Sequence, residues 1–335
     1  MPKKITRWLK VRHWIEYIIG RPLVTGMHYI PLPVAYHLGR WIGWCAWKLA
    51  KKRRTIVAQN LKIVNDHLNK NAYKEVARAC PQAAPTPHEE VAPFRQAQDS
   101  KQACPQAAPT LSLDQQVREV FLRSSANIAC SFCFARMKPE KFKKHIKMEG
   151  LEHFKTALSQ GKGVLILLAH MGPWEVLPYL PYLFESTTKL GAMYRPMNNP
   201  HFDNWFKSVR EQRGTRLFSH KDGFHKPVDF LRKGGVIGVL ADQKMRQGAT
   251  APFFGKDAHT SPLPGLFQRR SGAPTLSFSI ETTAPQQWTI KTFPVDYSTT
   301  QEKRTRETEA QTTNQAIETT LSQSPLDGFW LRDRF

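Results

Sequence analysis

The hexapeptide HMGPWE, residues 170–175, carries residue types that can do acid–base chemistry, and it directly follows the apolar run GVLILLA. His170 and Glu175 stand five residues apart across a Gly-Pro pair, a spacing that can bring the carboxylate against one imidazole nitrogen. The carboxylate would fix the tautomer, and the other nitrogen would take a proton from a substrate hydroxyl. The alternative is a histidine that only caps a strand-to-helix turn, and the spacing alone favours this alternative.

Other polar side chains also follow apolar runs of the sequence. Arg195 follows KLGAMY (189–194), and Asp242 follows GVIGVLA (235–241). Continuous apolar runs separated by helix-like stretches predict an α/β fold with a largely parallel or mixed central sheet flanked by helices. Ligands of such sheets bind at the carboxyl ends of strands, which is where His170, Arg195 and Asp242 are all expected.

Composition divides the chain into three predicted parts: an N-terminal membrane-interface or anchor segment (1–54), a helical region (55–137) and an α/β domain (138–335). The helical region contains an insert at about 77–112, in which the octapeptide ACPQAAPT occurs at 79–86 and again at 103–110. The insert has too few large aliphatic residues to offset its ordering entropy, so we predict a surface loop without chemistry.

The N-terminal segment is basic at both ends and rich in aromatic residues between them. A spanning helix needs about 20 mostly apolar residues, and charged or histidine side chains interrupt every such window here. They are Glu16, Arg21, His28, His37 and Arg40. The pattern predicts helices that lie in the bilayer interface, or a poor single anchor, with the body on the cytoplasmic side. An amphipathic helix packed on the protein's own core is the alternative.

The charge and the cysteines limit the class of protein further. A formal net charge of +22 favours anionic partners. No zinc pattern, aromatic RNP-like block or Gly-Lys phosphate loop supports a nucleic-acid-binding protein, so no nucleic acid is expected as a partner. Five cysteines in a long chain make a disulfide framework improbable. Cys130 and Cys133 have redox or zinc-pair spacing, but no second pair lies nearby, which favours a reduced, buried pair on a helix.

The segment LLAHMGPWE resembles the His-x4-Asp/Glu signature of the lysophospholipid acyltransferase superfamily, and its Glu form resembles the lipid A biosynthesis late acyltransferases (lauroyl and myristoyl transferases). Four more blocks are similar to that family in the same order. They are Arg53 with Asn60-Leu61, Tyr194-Arg195-Pro196 with Asn199-Pro200, Arg210 with Arg213-Gly214, and Ala241-Asp242-Gln243 with Pro252-Phe-Phe-Gly255 and Thr260. The sequence departs from the pattern at the insert, at Gln268-Arg269-Arg270, and at Arg332, where a histidine is usual.

The resemblance implies acyl transfer from an acyl thioester, with acidic acyl carrier protein as co-substrate, to a hydroxyl of a phosphorylated lipid A precursor. It implies no other cofactor and no metal, and a catalytic domain on the cytoplasmic face of the inner membrane, against an anionic surface. A glycerolipid acyltransferase would share the His-x4-acid mechanism and stays an alternative. A basic membrane- or nucleic-acid-binding protein without catalysis is a further one.

The resemblance also implies roles for individual side chains. His170 would be the general base and Glu175 its orienting partner, while Arg195, backbone N–H groups near Gly172, or Gln243 would stabilise the oxyanion. The residues expected to bind substrate are Arg195, Asn199, Arg210, Arg213, Asp242 and Gln243. Asp242 would hold an arginine or cap a helix. The stretch WEVLPYLPYLF after the base would line an acyl-chain channel or, alternatively, form plain core.

Overall fold

The computed structural model of the protein describes residues 7–79, 111–184, 188–211, 214–219, 223–298 and 304–335. The insert predicted at about 77–112 and its two octapeptides lie outside these residues, apart from their first and last few positions. Arg213, predicted to bind substrate, also lies outside the described residues.

Five helices precede the first strand: α1 (Arg7–Met27), α2 (Leu32–Leu49), α3 (Lys51–Ala79), α4 (Leu113–Cys133) and α5 (Pro139–His145). Ser112 precedes α4 and forms a capping box with Gln115. The Ser112 hydroxyl accepts a hydrogen bond from the backbone N–H of Gln115, and the side-chain oxygen of Gln115 accepts one from the backbone N–H of Ser112. Helix α2 approaches α4 closely through two glycines. A Cβ at Gly43 would overlap the Phe121 carbonyl oxygen, so only glycine permits this contact.

The remaining elements form the α/β body. Seven strands build one sheet: β1 (Ile146–Glu149), β2 (Val164–Leu168), β3 (Leu190–Tyr194), β4 (Arg216–Ser219), β5 (Val236–Leu240), β8 (Thr275–Ala284) and β9 (Gln287–Val295). Two more, β6 (Ala249–Phe253) and β7 (Lys256–Thr260), pair as a hairpin. The helices of this part are α6 (Leu151–Ser159), α7 (Pro181–Phe184), α8 (Pro200–Glu211), α9 (His225–Arg232), α10 (Leu263–Ser271) and α11 (Arg306–Gln323).

The strand order of the sheet is β1-β9-β8-β2-β5-β3-β4. Every neighbouring pair is parallel except β8 and β9, which pair antiparallel. The predicted α/β class, with a largely parallel sheet and flanking helices, is therefore confirmed. All five residues of β2 are buried, as expected for a central strand covered on both faces.

The pairing of β2 with β5 decides what meets at the edge of the sheet. Leu168 and Leu240, the last residues of the two strands, are direct neighbours in the parallel register. His170 and Asp242 each follow two residues later. The register therefore delivers these two side chains to the same edge, next to each other.

The N-terminal helices divide between burial and exposure. Helix α2 buries Leu32, Ala35 and Tyr36, so one of its faces belongs to the core. Yet 13 of the 18 exposed large apolar side chains among the described residues lie between Trp8 and Leu49. None of the helices in the described residues combines the length and the hydropathy needed to cross a bilayer. The predicted association with a membrane surface stays a prediction.

Two other sequence interpretations can be compared with the structure. Cys130 and Cys133 are free, buried thiols of α4, as predicted, and burial raises the pKa of Cys133 to about 11. The stretch after His170 forms a 3-10 helix (Trp174–Tyr179) followed by α7. Its Tyr179 is buried against Phe134 and Phe142, so this part of the stretch is core.

Candidate active site

His170 meets a carboxylate at the edge of the sheet, and that carboxylate is Asp242. The imidazole Nδ1 lies 2.6 Å from the Asp242 Oδ1, a charge-assisted hydrogen-bond distance. The predicted partner was Glu175, five residues along the chain. That prediction is wrong for the contact with the imidazole, because β2 and β5 are neighbours and Asp242 reaches His170 from the adjacent strand.

The Asp242 carboxylate is well placed to stay ionised. Burial acts to raise its pKa, but the charge and hydrogen bond of His170 outweigh burial and hold the pKa of Asp242 below its usual value. An ionised Oδ1 accepts a hydrogen bond and cannot donate one, so the proton of a neutral imidazole belongs on Nδ1. The lone pair of Nε2 is then available to accept a proton from a substrate.

Gln243 and Trp174 complete the surroundings of the imidazole. Gln243 Nε2 lies 3.3 Å from Nδ1 and 3.4 Å from Nε2 of His170. Its Oε1 accepts a hydrogen bond from Arg332 at 3.0 Å, which orients the amide with its NH2 group toward His170. The Trp174 ring packs edge-on against the imidazole, with the ring centroids 5.3 Å apart. Sequence analysis placed Gln243 at the site but missed Trp174 and Arg332, although it noted Arg332 as a departure.

Glu175 forms a two-pronged ion pair with Arg210 of α8. Arg210 Nε donates to one carboxylate oxygen at 3.0 Å and its NH2 group donates to the other at 2.5 Å. Burial acts to lower the pKa of Arg210, but the Glu175 carboxylate outweighs it and raises that pKa. This ion pair links the 3-10 helix that contains Glu175 to α8. The two predicted site residues are therefore bound to each other.

The other predicted residues have separate environments. Arg195 is exposed just beyond β3, on the edge of the sheet where Asp242 also emerges. Asn199 is buried, and its amide donates to the His13 carbonyl and to Glu16 while its oxygen caps the start of α8. The predicted substrate contact of Asn199 is therefore replaced by a junction between α1 and α8.

The backbone around Gly172 is also already bonded. The Gly172 N–H donates to the Asp327 carbonyl at 3.1 Å, which removes it as the predicted oxyanion donor. The Phe329 N–H donates to the His170 carbonyl at 2.7 Å, and Met171 forms an antiparallel bridge with Gly328. Residues 325–335, called here the C-terminal segment, therefore run alongside the residues that follow β2.

Helix α3 holds the C-terminal segment from the other side. The Asn60 side-chain amide, which is buried, donates to the carbonyls of Trp330 and Arg332 at 3.0 and 2.8 Å. Arg53 donates to the Leu331 carbonyl at 3.0 Å. The sequence block of Arg53 and Asn60 thus contacts the segment that contacts His170, a role that its pattern alone did not reveal.

Comparison with known proteins identifies the family of the chain. The family of bacterial lipid A biosynthesis acyltransferases matches residues 114–335, which is about two thirds of the chain and includes both His170 and Asp242. The chain belongs to this family. The C-terminal segment lies inside the matched region, whereas Arg53 and Asn60 precede it.

Individual lipid A acyltransferases resemble the chain over different lengths. The lipid A biosynthesis acyltransferase 2 of Shigella flexneri is 31% identical over 137 residues, covering 40% of this chain and 43% of that protein. The lipid A biosynthesis acyltransferase of Haemophilus influenzae is 28% identical, covering 37% of this chain and 40% of that protein. The lipid A biosynthesis lauroyltransferase of Escherichia coli (strain K12) is 20% identical over 342 residues, covering 100% and 95% of the two chains. The first two matches thus span less than half of those relatives.

A glycine in this lipid A acyltransferase family member allows a testable prediction about the turn after His170. Gly172 has a φ of +55°, and a Cβ there would overlap the Ile280 carbonyl oxygen. We expect Gly172→Ala to lower the free energy of unfolding by roughly 2–4 kcal/mol, from the left-handed backbone and the steric overlap together. Chemical denaturation followed by tryptophan fluorescence measures this loss.

Gly161→Ala is the matched control for that substitution. Gly161 has a similar φ of +71°, but no atom lies within 4 Å of the position that a Cβ would occupy, so only the backbone cost of about 1–2 kcal/mol applies. Equal losses for the two variants would contradict a close approach of the turn to β8.

Proposed function

We propose that this protein transfers a fatty acyl chain from an acyl thioester to a hydroxyl of a phosphorylated lipid A precursor, with acyl carrier protein as the donor's carrier. The observation that carries the proposal is the His170–Asp242 pair, 2.6 Å apart at the edge of the sheet, in a member of the lipid A acyltransferase family. A histidine oriented by a carboxylate can act as a general base, which accelerates acyl transfer to an alcohol by removing the hydroxyl proton.

The reaction begins with the acceptor hydroxyl beside His170. Nε2 takes the hydroxyl proton as the oxygen attacks the thioester carbonyl carbon, and the ionised Asp242 stabilises the imidazolium that forms. The tetrahedral intermediate then collapses with cleavage of the carbon–sulfur bond, and the imidazolium returns its proton to the departing thiolate. The products are an ester and a free thiol, and the base is regenerated.

The oxyanion of the intermediate needs a hydrogen-bond donor close to the reacting nitrogen. The Gln243 amide is the donor that we assign, because its NH2 group lies 3.4 Å from His170 Nε2 and Arg332 fixes its orientation. Such a donor typically contributes a factor of about 10² to 10³ in rate. Arg195, exposed beyond β3, is the second candidate.

Glu175 and Arg210 have a different role in this proposal. Their paired geometry fixes the guanidinium of Arg210, and the remaining N–H donors of an arginine suit a phosphate oxygen of the acceptor. Glu175 is therefore a positioning residue for Arg210. It acts on acceptor binding and not on the tautomer of His170.

The place of the reaction in this proposal is the cytoplasmic face of the inner membrane. Exposed apolar side chains recur every three or four residues along α1, at Trp8, Val11, Ile15 and Ile18, which gives this helix an apolar stripe. The net charge of +22 favours both an anionic bilayer and an acidic carrier protein.

Two acceptors assayed side by side test the reaction. The purified protein in detergent micelles receives an acyl-acyl carrier protein together with either a phosphorylated lipid A precursor or glycerol phosphate. Mass spectrometry should find the lipid A precursor heavier by one acyl chain and the glycerol phosphate unchanged. Acylation of the glycerol phosphate alone would favour a glycerolipid acyltransferase instead.

Cells provide the second arm of the test. Lipid A from cells lacking the gene should be lighter by one acyl chain than lipid A from cells that carry it, and the wild-type gene should restore the mass. Equal masses of lipid A in cells with and without the gene would contradict the proposed acceptor.

A further inference from the structure

Three cations converge on one tryptophan where α2, α3 and α4 meet. The Lys48 ammonium lies 4.9 Å from the centroid of the Trp47 ring, and the guanidinium carbons of Arg54 and Arg118 lie 5.5 and 5.7 Å from it. These residues are called here the Trp47 cation cluster. Its three cations belong to three different helices, so the tertiary packing assembles the cluster and the sequence pattern does not.

The charges of this cluster are not neutralised by any carboxylate of the described residues. Among the described residues, no carboxylate forms an ion pair with Lys48, Arg54 or Arg118. Glu119 is adjacent to Arg118 in sequence, but its carboxylate is bonded to Arg40 and Arg123. Three positive charges around a single ring lie within little more than a Debye length of about 8 Å, where they repel one another unless an anion is present.

The tryptophan itself also has an unused donor. The indole N–H of Trp47 is buried and makes no hydrogen bond within the part of the chain that the structure describes. Cation–π contacts contribute about 0.5–1 kcal/mol at exposed sites and involve the ring faces, so they leave this N–H donor without an acceptor. The cluster therefore presents three cations around a ring whose buried N–H faces the interior, and it lacks acceptor oxygens.

The neighbouring surface indicates where such oxygens come from. Leu49 is 83% exposed, and Trp44 beside it is 41% exposed and also lies under the Lys48 ammonium. Exposed apolar side chains next to unpaired cations match the boundary of a bilayer, where acyl chains and phosphate groups lie a few ångströms apart. An acidic protein would meet the cations but would leave Leu49 and Trp44 without an apolar partner.

We propose that the Trp47 cation cluster binds the phosphate headgroup of an anionic phospholipid in the bilayer. This site deepens the proposed membrane association and rests on it. Among the described residues, none of the four cluster members forms a hydrogen bond or ion pair with His170 or Asp242, so occupancy of the site is expected to fix the protein on the membrane surface and to leave the chemistry of His170 unchanged.

Vesicle binding of the full-length protein tests the site. The double variant Arg54→Gln/Arg118→Gln is compared with wild type on phosphatidylcholine vesicles with and without phosphatidylglycerol. Each basic residue near an anionic surface changes the partition coefficient about fivefold, so the double variant should bind the phosphatidylglycerol vesicles about 25-fold less. Binding to pure phosphatidylcholine should not differ from wild type.

The matched control removes the same charge elsewhere. Arg270→Gln/Arg306→Gln alters two exposed arginines at the end of α10 and the start of α11, and it should bind phosphatidylglycerol vesicles as wild type does. Equal losses in the two double variants would overturn the proposal, because net charge alone would then explain binding. A thermal-unfolding midpoint equal to that of wild type shows that the cluster variant is folded.

Two further measurements separate other ligands and the proposed function. If inorganic phosphate stabilises wild type but not the cluster variant while vesicle binding is unchanged, the site takes free anions and the lipid proposal fails. If the cluster variant raises only the KM for the lipid A precursor in micelles, the site belongs to the acceptor and the proposal fails as well. Absence of acyl transfer in wild type would instead contradict the proposed function, and the vesicle result would stand by itself.

Discussion

Asp242→Asn is expected to lower kcat by about 10⁴-fold while the KM values of both substrates stay close to those of wild type. The asparagine amide can donate to His170 Nδ1, which moves the imidazole proton to Nε2 and removes the lone pair that must accept the substrate proton. It also removes the negative charge that stabilises the imidazolium. Single-turnover kinetics with saturating substrates in micelles measure the chemical step directly.

Asp257→Asn is the matched control, because it makes the same chemical change at an exposed position of β7. It should leave kcat at the wild-type value. A wild-type rate for Asp242→Asn would contradict the assigned base.

Glu175→Gln and Arg210→Gln should both weaken binding of the acceptor, because these two residues act as a pair.

Acid unfolding gives a check on Asp242 that does not depend on activity. Its pKa in the folded protein lies below the value of about 3.9 expected for an unfolded chain. The stabilisation from this carboxylate is therefore complete above about pH 4 and is lost as the pH falls through the folded pKa. Asp242→Asn should lack that part of the acid dependence.

His170→Ala is expected to remove the general base and to lower kcat by about 10²–10⁴-fold at every pH at which the protein is folded. The substitution also leaves the Asp242 carboxylate, whose side chain is 11% exposed, without its charge-assisted hydrogen bond. We therefore expect a lower free energy of unfolding as well as a lower rate. Steady-state kinetics and denaturant unfolding of the same preparation measure both effects.

The double variant His170→Ala/Asp242→Asn separates the two effects. Its kcat should be no lower than that of His170→Ala, because residues that act as a unit are not additive. Its stability should exceed that of His170→Ala, because the unpaired charge is gone. His153→Ala, which alters an exposed histidine of α6, should change neither quantity, and additive losses in kcat would contradict the pairing.

The strands and the position of His170 at a strand end could be predicted from sequence, but the carboxylate that contacts His170 could not. The runs at 163–169 and 235–241 are continuous and apolar, which correctly predicted β2 and β5 and placed His170 and Asp242 at strand ends. Their adjacency depends on the strand order, in which β5 lies between β2 and β3. A local sequence pattern contains no information about that order. It therefore favoured Glu175, which is close to His170 along the chain, over Asp242, which is close to it only in the folded sheet.

Asn199 shows a second limit of local patterns. Its block resembles a substrate-binding motif, and nothing in the surrounding residues indicates that α1 will cover it. Similarly, the role of Asn60 depends on residues 330 and 332, which lie about 270 positions away. Contacts between such distant parts of a chain are fixed only by the tertiary structure.

The contact between the C-terminal segment and the residues after β2 has a consequence for biosynthesis. The carbonyl of His170 and the N–H of Gly172 find their partners at Phe329 and Asp327. A ribosome therefore makes the histidine long before it makes the residues that hold it in place. Until residues 327–329 have been synthesised, these two backbone groups lack those partners, so the turn after His170 acquires its native hydrogen bonds only after residue 329 has been added.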